Sequence, residues 1–151
     1  MSESPRVLVI DDEPDIRMIV GMNLTLAGME FAEAEDGRVA IEKLSGESWD
    51  GCILDLAMPE ADGFEVLKAM QKMDLIDRMG ILVLSANGAP TTAIEAMDLG
   101  AHTHLAKPFA PASVAQAMRE LIELTPEQRI ERREEMKERA GNLDRLGVNT
   151  V

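Results

Sequence analysis

Three short apolar runs, Val7–Ile10, Cys52–Leu54 and Ile81–Leu84, are separated by stretches of helical periodicity. Runs this short and this rich in branched residues suit strands buried on both faces, as in a parallel sheet. Two further segments complete the pattern. Met29–Ala34 alternates apolar and polar residues, as a strand at a sheet edge does, and Thr103–Ala106 reads as a weaker strand. In the first intervening stretch Ile16, Ile19, Val20, Leu24 and Ala27 recur at helical spacing, and Gly28 can end that helix. Asp36 can cap a second helix carrying Val39, Ala40 and Leu44. Phe64, Leu67 and Met70 mark a third. Pro90 opens a fourth that stops at Gly100, and Pro111 opens a fifth with Val114, Met118, Leu121 and Ile122. The chain therefore reads as an α/β, doubly wound (βα)5 fold with parallel strands and right-handed crossovers. A five-stranded sheet ordered 2-1-3-4-5 places the alternating second strand and the weak fifth strand at its edges. Its ligand site then lies at the carboxyl ends of the strands, near the switch point.

Residues 1–124 account for this fold, and residues 125–151 form a charged helical tail or linker. Thr125 to Gln128 has the spacing of a capping box with Pro126 at the first helical position. The helix is expected from about Pro126 to Ala140, with Gly141 as its stop. Its apolar residues, Ile130 and Met136, make no sustained heptad. The near-uniform charge predicts a helix largely separable from residues 1–124, so that truncation after Leu124 leaves a folded domain. Packing back on the core, dimerisation and a lead into a further domain are the three roles open to it.

The net charge of −13 argues against direct binding of nucleic acid, whose phosphates need a cationic footprint. The tail carries six Lys/Arg and six Asp/Glu, so all the excess acid lies in residues 1–124. No apolar run is long enough to span a membrane, and the first residues lack the pattern of a secretory signal. One Cys excludes an internal disulfide and fits a reducing compartment, so a cytoplasmic location is expected. With no Tyr and eleven Met, the core must be built from aliphatic side chains and methionine. Cys52 and Trp49 read as packing residues, and His102 is given no special role.

Polar residues stand where the apolar runs end: Asp11 and Asp12 after the first, Asp55 after the third strand, Ser85 after the fourth and Lys107 after the fifth. A parallel sheet brings all of them to one end. Three crowded carboxylates repel one another unless a cation is present, and an all-oxygen donor set suits Mg²⁺. A carboxylate can attack phosphorus to give an aspartyl phosphate. Phosphoryl transfer then needs positioning and charge neutralisation more than acid–base chemistry. Lys107 can neutralise phosphoryl oxygens, and Ser85 can donate a hydrogen bond to one. Taken singly, Asp12 could cap the first helix, Ser85 could be a turn residue and Lys107 a solvated one; only the constellation points to chemistry.

Over roughly residues 5–124 the chain resembles the receiver domain of bacterial two-component response regulators, of the chemotaxis-regulator-like kind. The stretches that carry the resemblance are Val9-Ile10-Asp11-Asp12, Asp55-Leu56-Ala57-Met58-Pro59, Asp62-Gly63, Leu84-Ser85-Ala86, Gly100-Ala101 and Lys107-Pro108-Phe109. The resemblance implies the flavodoxin-like strand order 2-1-3-4-5. It implies Asp12 as a direct Mg²⁺ ligand, Asp11 as its neighbour acting partly through water, and Asp55 as phosphoacceptor and metal ligand. It further implies the backbone carbonyl of Ala57 as a metal ligand, Ser85 and Lys107 as the phosphate-sensing pair, and a cis peptide at Lys107-Pro108.

Three positions depart from the family pattern. His104 stands where Tyr or Phe is usual, Ala57 where a larger polar residue is common, and Asn87 lies two residues after Ser85. His104 could act as the switch residue with Ser85, or could face solvent from the edge strand.

The expected function is a phosphoacceptor switch that catalyses its own phosphorylation and dephosphorylation. A histidine kinase or histidine phosphotransfer protein would supply the phosphoryl group, and a downstream protein target would read the change. The fourth helix has no Lys or Arg, so the charge-paired dimer of many DNA-binding regulators is not expected there, although dimerisation in another form fits. A phosphorylation-independent binding module and a receiver fragment of a larger regulator are the alternatives. An aspartate-nucleophile phosphatase would need a second acid where Ala57 stands.

Overall fold

A computed structural model describes residues 4–56, 58, 63–86 and 90–147. The elements alternate as the sequence pattern requires: β1 (Arg6–Ile10), α1 (Pro14–Leu26), β2 (Glu30–Ala34), α2 (Gly37–Gly46), β3 (Gly51–Asp55), α3 (Gly63–Lys72), β4 (Gly80–Ser85), α4 (Pro90–Asp98), β5 (Thr103–Ala106), α5 (Pro111–Glu123) and α6 (Pro126–Arg145). The five strands form one parallel sheet in the order β2-β1-β3-β4-β5. The alternating strand and the weak strand are its edges, as expected.

Successive side chains of a strand point to opposite faces, and the core divides accordingly. Leu8, Ile10, Cys52, Leu54, Ile81 and Val83 face one way, onto Leu44 of α2, Leu67 and Met70 of α3, and Met97 of α4. Val7, Val9, Ile53, Leu82 and Leu84 face the other way, onto Val20 and Leu24 of α1 and Val114, Met118 and Leu121 of α5. Methionine takes the space that aromatic rings would otherwise fill. Cys52 is wholly buried, and burial pushes its thiol up to about 12, so it is a packing group.

The helix ends follow local chemistry. The Asp36 carboxylate accepts from Val39 N at 2.9 Å, capping α2. Gly28 takes φ +86° just beyond α1, a conformation that a side chain would disfavour. The cap of α1 is Glu13, with no side-chain cap bond, so Asp12 does not serve that helix. Trp49 is buried just before β3. Its Nε1 donates to Lys43 O at 3.0 Å, and the Arg6 guanidinium lies 4.4 Å from its ring centroid.

The tail departs most from expectation. The capping box forms: Gln128 N donates to Thr125 Oγ at 3.1 Å, and Thr125 N donates to Gln128 Oε1 at 2.9 Å. The helix then runs through Gly141 to Arg145 rather than stopping, because the chain stays packed at that point. Ala140 is buried in the core cluster that holds Ala93, Ala96 and Met97, and Met136 packs against the same cluster. Instead of standing apart, α6 lies against α4 and β5, so of the three open roles the structure displays packing on the core.

Arginines hold it there, around a histidine that sequence reasoning passed over. Ile81 N donates to His102 Nδ1 at 3.0 Å, so the ring proton resides on Nε2 and donates to Asp77 Oδ1 at 2.9 Å. Arg133 bonds the same Asp77 oxygen and donates to the carbonyls of Gly100 at 2.8 Å and Ala101 at 3.2 Å. Arg129, itself buried, donates to Asp77 O at 3.0 Å and Leu124 O at 2.8 Å. Burial pulls His102 down to about 4 against the pull of Asp77, so the ring is neutral near pH 7.

Two consequences are measurable. Removing the Arg133 side chain leaves two carbonyls and a carboxylate short of a donor. Arg133→Ala is therefore expected to lower the unfolding free energy by about 2–4 kcal/mol. Arg132→Ala, whose pair with Glu120 is 3.9 Å long and partly exposed, is expected to cost less than about 0.5 kcal/mol in the same urea melts. The unfolded chain protonates His102 near its ordinary 6.5, whereas the folded chain resists until about pH 4. Stability from this group is thus complete above pH 6.5 and declines as pH falls toward 4, by up to about 3 kcal/mol. His102→Gln should show a correspondingly shallower decline over that interval.

Candidate functional site

The site is assembled by register. Ile10 pairs with Leu54, Asp55 with Leu84, and Ser85 with Ala106. Asp11, Asp55, Ser85 and Lys107 are thereby brought to one end of three adjacent strands and their neighbour. Backbone bonds continue past the strands: Leu56 N donates to Leu84 O at 2.9 Å, and Lys107 N donates to Ser85 O at 2.8 Å. Gly63 lets α3 begin directly against β3, since a Cβ there would come within 2.6 Å of the Asp55 carbonyl oxygen. The Lys107–Pro108 peptide is cis, as the resemblance implied.

Carboxylate oxygens of Asp11, Asp12 and Asp55 all lie within 4.8 Å of one another. Asp11 and Asp55 are buried, while Asp12 is exposed at the rim. Lys107 Nζ sits 3.3 Å from Asp55 Oδ2 and 3.7 Å from Asp11 Oδ2. One ammonium therefore faces two buried carboxylates with a third beside them. Asp11 Oδ1 accepts from Glu13 N at 2.9 Å, but its buried Oδ2 accepts no hydrogen bond from the described residues. Burial pushes Asp11 up to about 6, with the negative charges of Asp55 and Asp12 adding to it, against the Glu13 bond and Lys107. Lys107 is held above its ordinary range: partial burial works against its charge, but Asp11 and Asp55 outweigh that. The donor set is all oxygen and the orphaned Asp11 oxygen is buried among the carboxylates, so the cluster fits a hard divalent cation. The carbonyl of Ala57, expected as a further ligand, lies outside the described residues, as do Pro59, Asp62 and Asn87.

Ser85 and His104 meet on the other side of the site. Ser85 Oγ and His104 Nε2 are hydrogen-bonded at 2.7 Å, and both side chains are buried. The alternative of a solvent-facing edge histidine does not hold: the ring lies inside the sheet edge with Ser85 as partner. Burial lowers its pKa and favours the neutral imidazole. Arg17 is a site residue that sequence reasoning missed. It donates to Asp11 O at 2.8 Å and pairs with Glu33 at 2.9 Å, tying α1 and β2 to the acidic turn. Its place four residues after Glu13 gave no signal, because the contact depends on β2 being adjacent.

Comparison with known proteins agrees with this geometry. Residues 7–119 match the model of the response regulator receiver domain. The chemotaxis protein CheY of Thermotoga maritima is 39% identical over 114 residues, covering 75% of this chain and 93% of that protein. The transcriptional regulatory protein PrrA of Mycobacterium bovis is 34% identical over 119 residues, covering 79% of this chain and 50% of that protein. Among solved structures, the chemotaxis response regulator CheY4 of Vibrio cholerae superposes with a TM-score of 0.73 at 33% identity, over 78% of this chain and 98% of that one. The chain belongs to the response regulator receiver family, whose general function is that of a phosphoacceptor switch in two-component signalling. It spans about half the length of the PrrA relatives it matches.

The cluster's repulsion should be visible in stability. Asp11→Asn keeps an acceptor for Glu13 N while removing one buried negative charge. In the absence of divalent cations it is expected to raise the unfolding free energy by about 1 kcal/mol. It should also weaken Mg²⁺ binding, measured by titration calorimetry or NMR. A destabilised variant would show that the carboxylates are not mutually repelling.

Proposed function

We propose that Asp55 is the phosphoacceptor of this chain and that it takes a phosphoryl group from a phosphohistidine on a sensor kinase or a histidine phosphotransfer protein. The observation that carries the reading is the sharing of Lys107 between Asp55 and Asp11 at the converging strand ends. An Asp55 carboxylate oxygen attacks phosphorus as the phosphorus–nitrogen bond breaks. The bonding pair returns to the imidazole of the donor, and an acyl phosphate remains on Asp55. Lys107 lies where an added phosphoryl group would place its negative oxygens, and its raised pKa keeps it charged. The Ser85 hydroxyl can turn from His104 to donate to one of those oxygens.

Asp11, Asp12 and Asp55, with the Ala57 carbonyl, are the residues that would hold Mg²⁺. When bound, the ion supplies neutralisation of phosphoryl charge and of the carboxylates' mutual repulsion. The chain later loses the group to water by its own site, so it is a regulator that catalyses its own phosphorylation and dephosphorylation rather than an enzyme acting on a free substrate. Ser85 and His104 form the switch pair. Once Ser85 engages a phosphoryl oxygen, the imidazole loses its partner, and the surface around β5 changes for a downstream protein. The acidic balance of residues 1–124 supports a protein target over nucleic acid. Among the described residues no helix is long and apolar enough to cross a membrane. Membership of the receiver family supports a cytoplasmic site of action.

Incubation with Mg²⁺ and acetyl phosphate, followed by mass mapping, tests the assignment. Label is expected on the peptide carrying Asp55, and Asp55→Asn should reduce incorporation at least about tenfold. Labelling that survives this substitution would place the acceptor elsewhere. Lys107→Gln should retain the fold and slow incorporation by roughly tenfold to a hundredfold.

A further inference from the structure

The two halves of α6 are held in different ways. Its first half is clamped by polar bonds: Arg129 and Arg133 reach Asp77 and the carbonyls of Leu124, Gly100 and Ala101. From Met136 onward the attachment is mostly apolar. Met136 and Ala140 rest on the cluster containing Ala93 and Met97, and Lys137 pairs with Asp98 of α4 at 2.8 Å. This half does not close fully on the sheet. A cleft of ≈ 190 Å³ lies beneath it, lined by Ala93, Met97, Met136, Arg139, Ala140, Leu143 and His104.

His104 thus has two neighbourhoods. On one side its Nε2 is bonded to Ser85, the hydroxyl that flanks the acidic cluster. On the other the ring lines the cleft under α6. A buried imidazole nitrogen deprived of its partner is unfavourable, so loss of the Ser85 bond favours a new seat for the ring. The cleft wall that the second half of α6 lies against then changes shape. The first half is held by arginine bonds to Asp77, Leu124, Gly100 and Ala101, and these do not pass through His104.

We propose that the second half of α6, from Met136 to Arg145, is a displaceable cover over α4 and β5, seated while Ser85 bonds His104 and released when Asp55 is phosphorylated. The uncovered surface receives an amphipathic helix from a partner protein, with a cation placed on it to meet Asp98. The chemistry of the partner is given by what α6 itself presents there: small or flexible apolar side chains for Ala93 and Met97, and a cation for Asp98. The helix α4 carries no basic residue, so its acidic side is open to such a cation. The inference rests on the phosphoacceptor reading of Asp55.

The test is amide hydrogen exchange of the whole chain, with and without beryllium fluoride and magnesium chloride, with occupancy of Asp55 followed by fluorine NMR. Exchange of residues 136–145 is expected to rise about tenfold or more on occupancy, while residues 129–133 stay protected. A labelled peptide with the sequence of residues 126–147 should bind the occupied chain about tenfold more tightly than the unoccupied one. Ser85→Ala, which removes the bond without fluoride, should raise exchange of the same ten residues unaided. If fluoride never occupies Asp55, the phosphoacceptor reading falls and the cover with it. Full occupancy with unchanged exchange overturns the cover alone. Release without preferential peptide binding overturns the docking surface.

Discussion

All five strands run in the same direction, and everything else in this molecule depends on that. Parallel pairing fixes the heights of the strand ends relative to one another, so residues nearly a hundred positions apart in sequence arrive at one rim. Asp11 and Lys107 meet across two intervening strands without any loop having to reach. The same pairing locks the site against slippage. A shift of one residue in β3 would send Leu54 to the α1–α5 face and Ile53 to the α2–α3–α4 face, exchanging every buried side chain. The chemistry is positioned by the hydrophobic core rather than by its own bonds. This is how carboxylates that repel one another can be kept together.

That repulsion is tolerated rather than removed. Asp11 is buried, its Oδ2 takes no hydrogen bond from the described residues, and one ammonium, that of Lys107, is shared between two buried acids. A site in this condition is poised: adding positive charge relieves it, and adding a phosphoryl group demands still more. The Ser85–His104 bond lies next to this imbalance, so a change in the charge at Asp55 meets a group that can turn either way.

The sheet and the acidic cluster were legible in the sequence because their signals are local. The central strands are runs of apolar residues, and the functional side chains stand just where those runs end. The seat of α6 was not legible. It depends on Met136 and Ala140, one helical turn apart, and on arginines whose partners are backbone carbonyls of Gly100 and Ala101. Carbonyls are present at every residue, so nothing in the sequence marks them as receptors. Gly141 illustrates the same limit. As a helix stop it was a sound reading of local propensity, and tertiary packing around Ala140 overrode it. His102 looked unremarkable because its partner, Asp77, follows a different strand and helix.

Trp49 has a consequence for how this chain can be watched. It is the only indole, and it lies at the amino-terminal end of β3, stacked beneath Arg6 and bonded to Lys43. Asp55 is six residues further along, roughly 20 Å away at the rise of a strand. Fluorescence from Trp49 therefore reports the end of the sheet opposite the acidic cluster. Its emission follows global melting faithfully and is blind to occupancy of the far rim. An optical titration that shows no change leaves the loading of Asp55 undecided, and a spectroscopic probe of the site has to be introduced near β5.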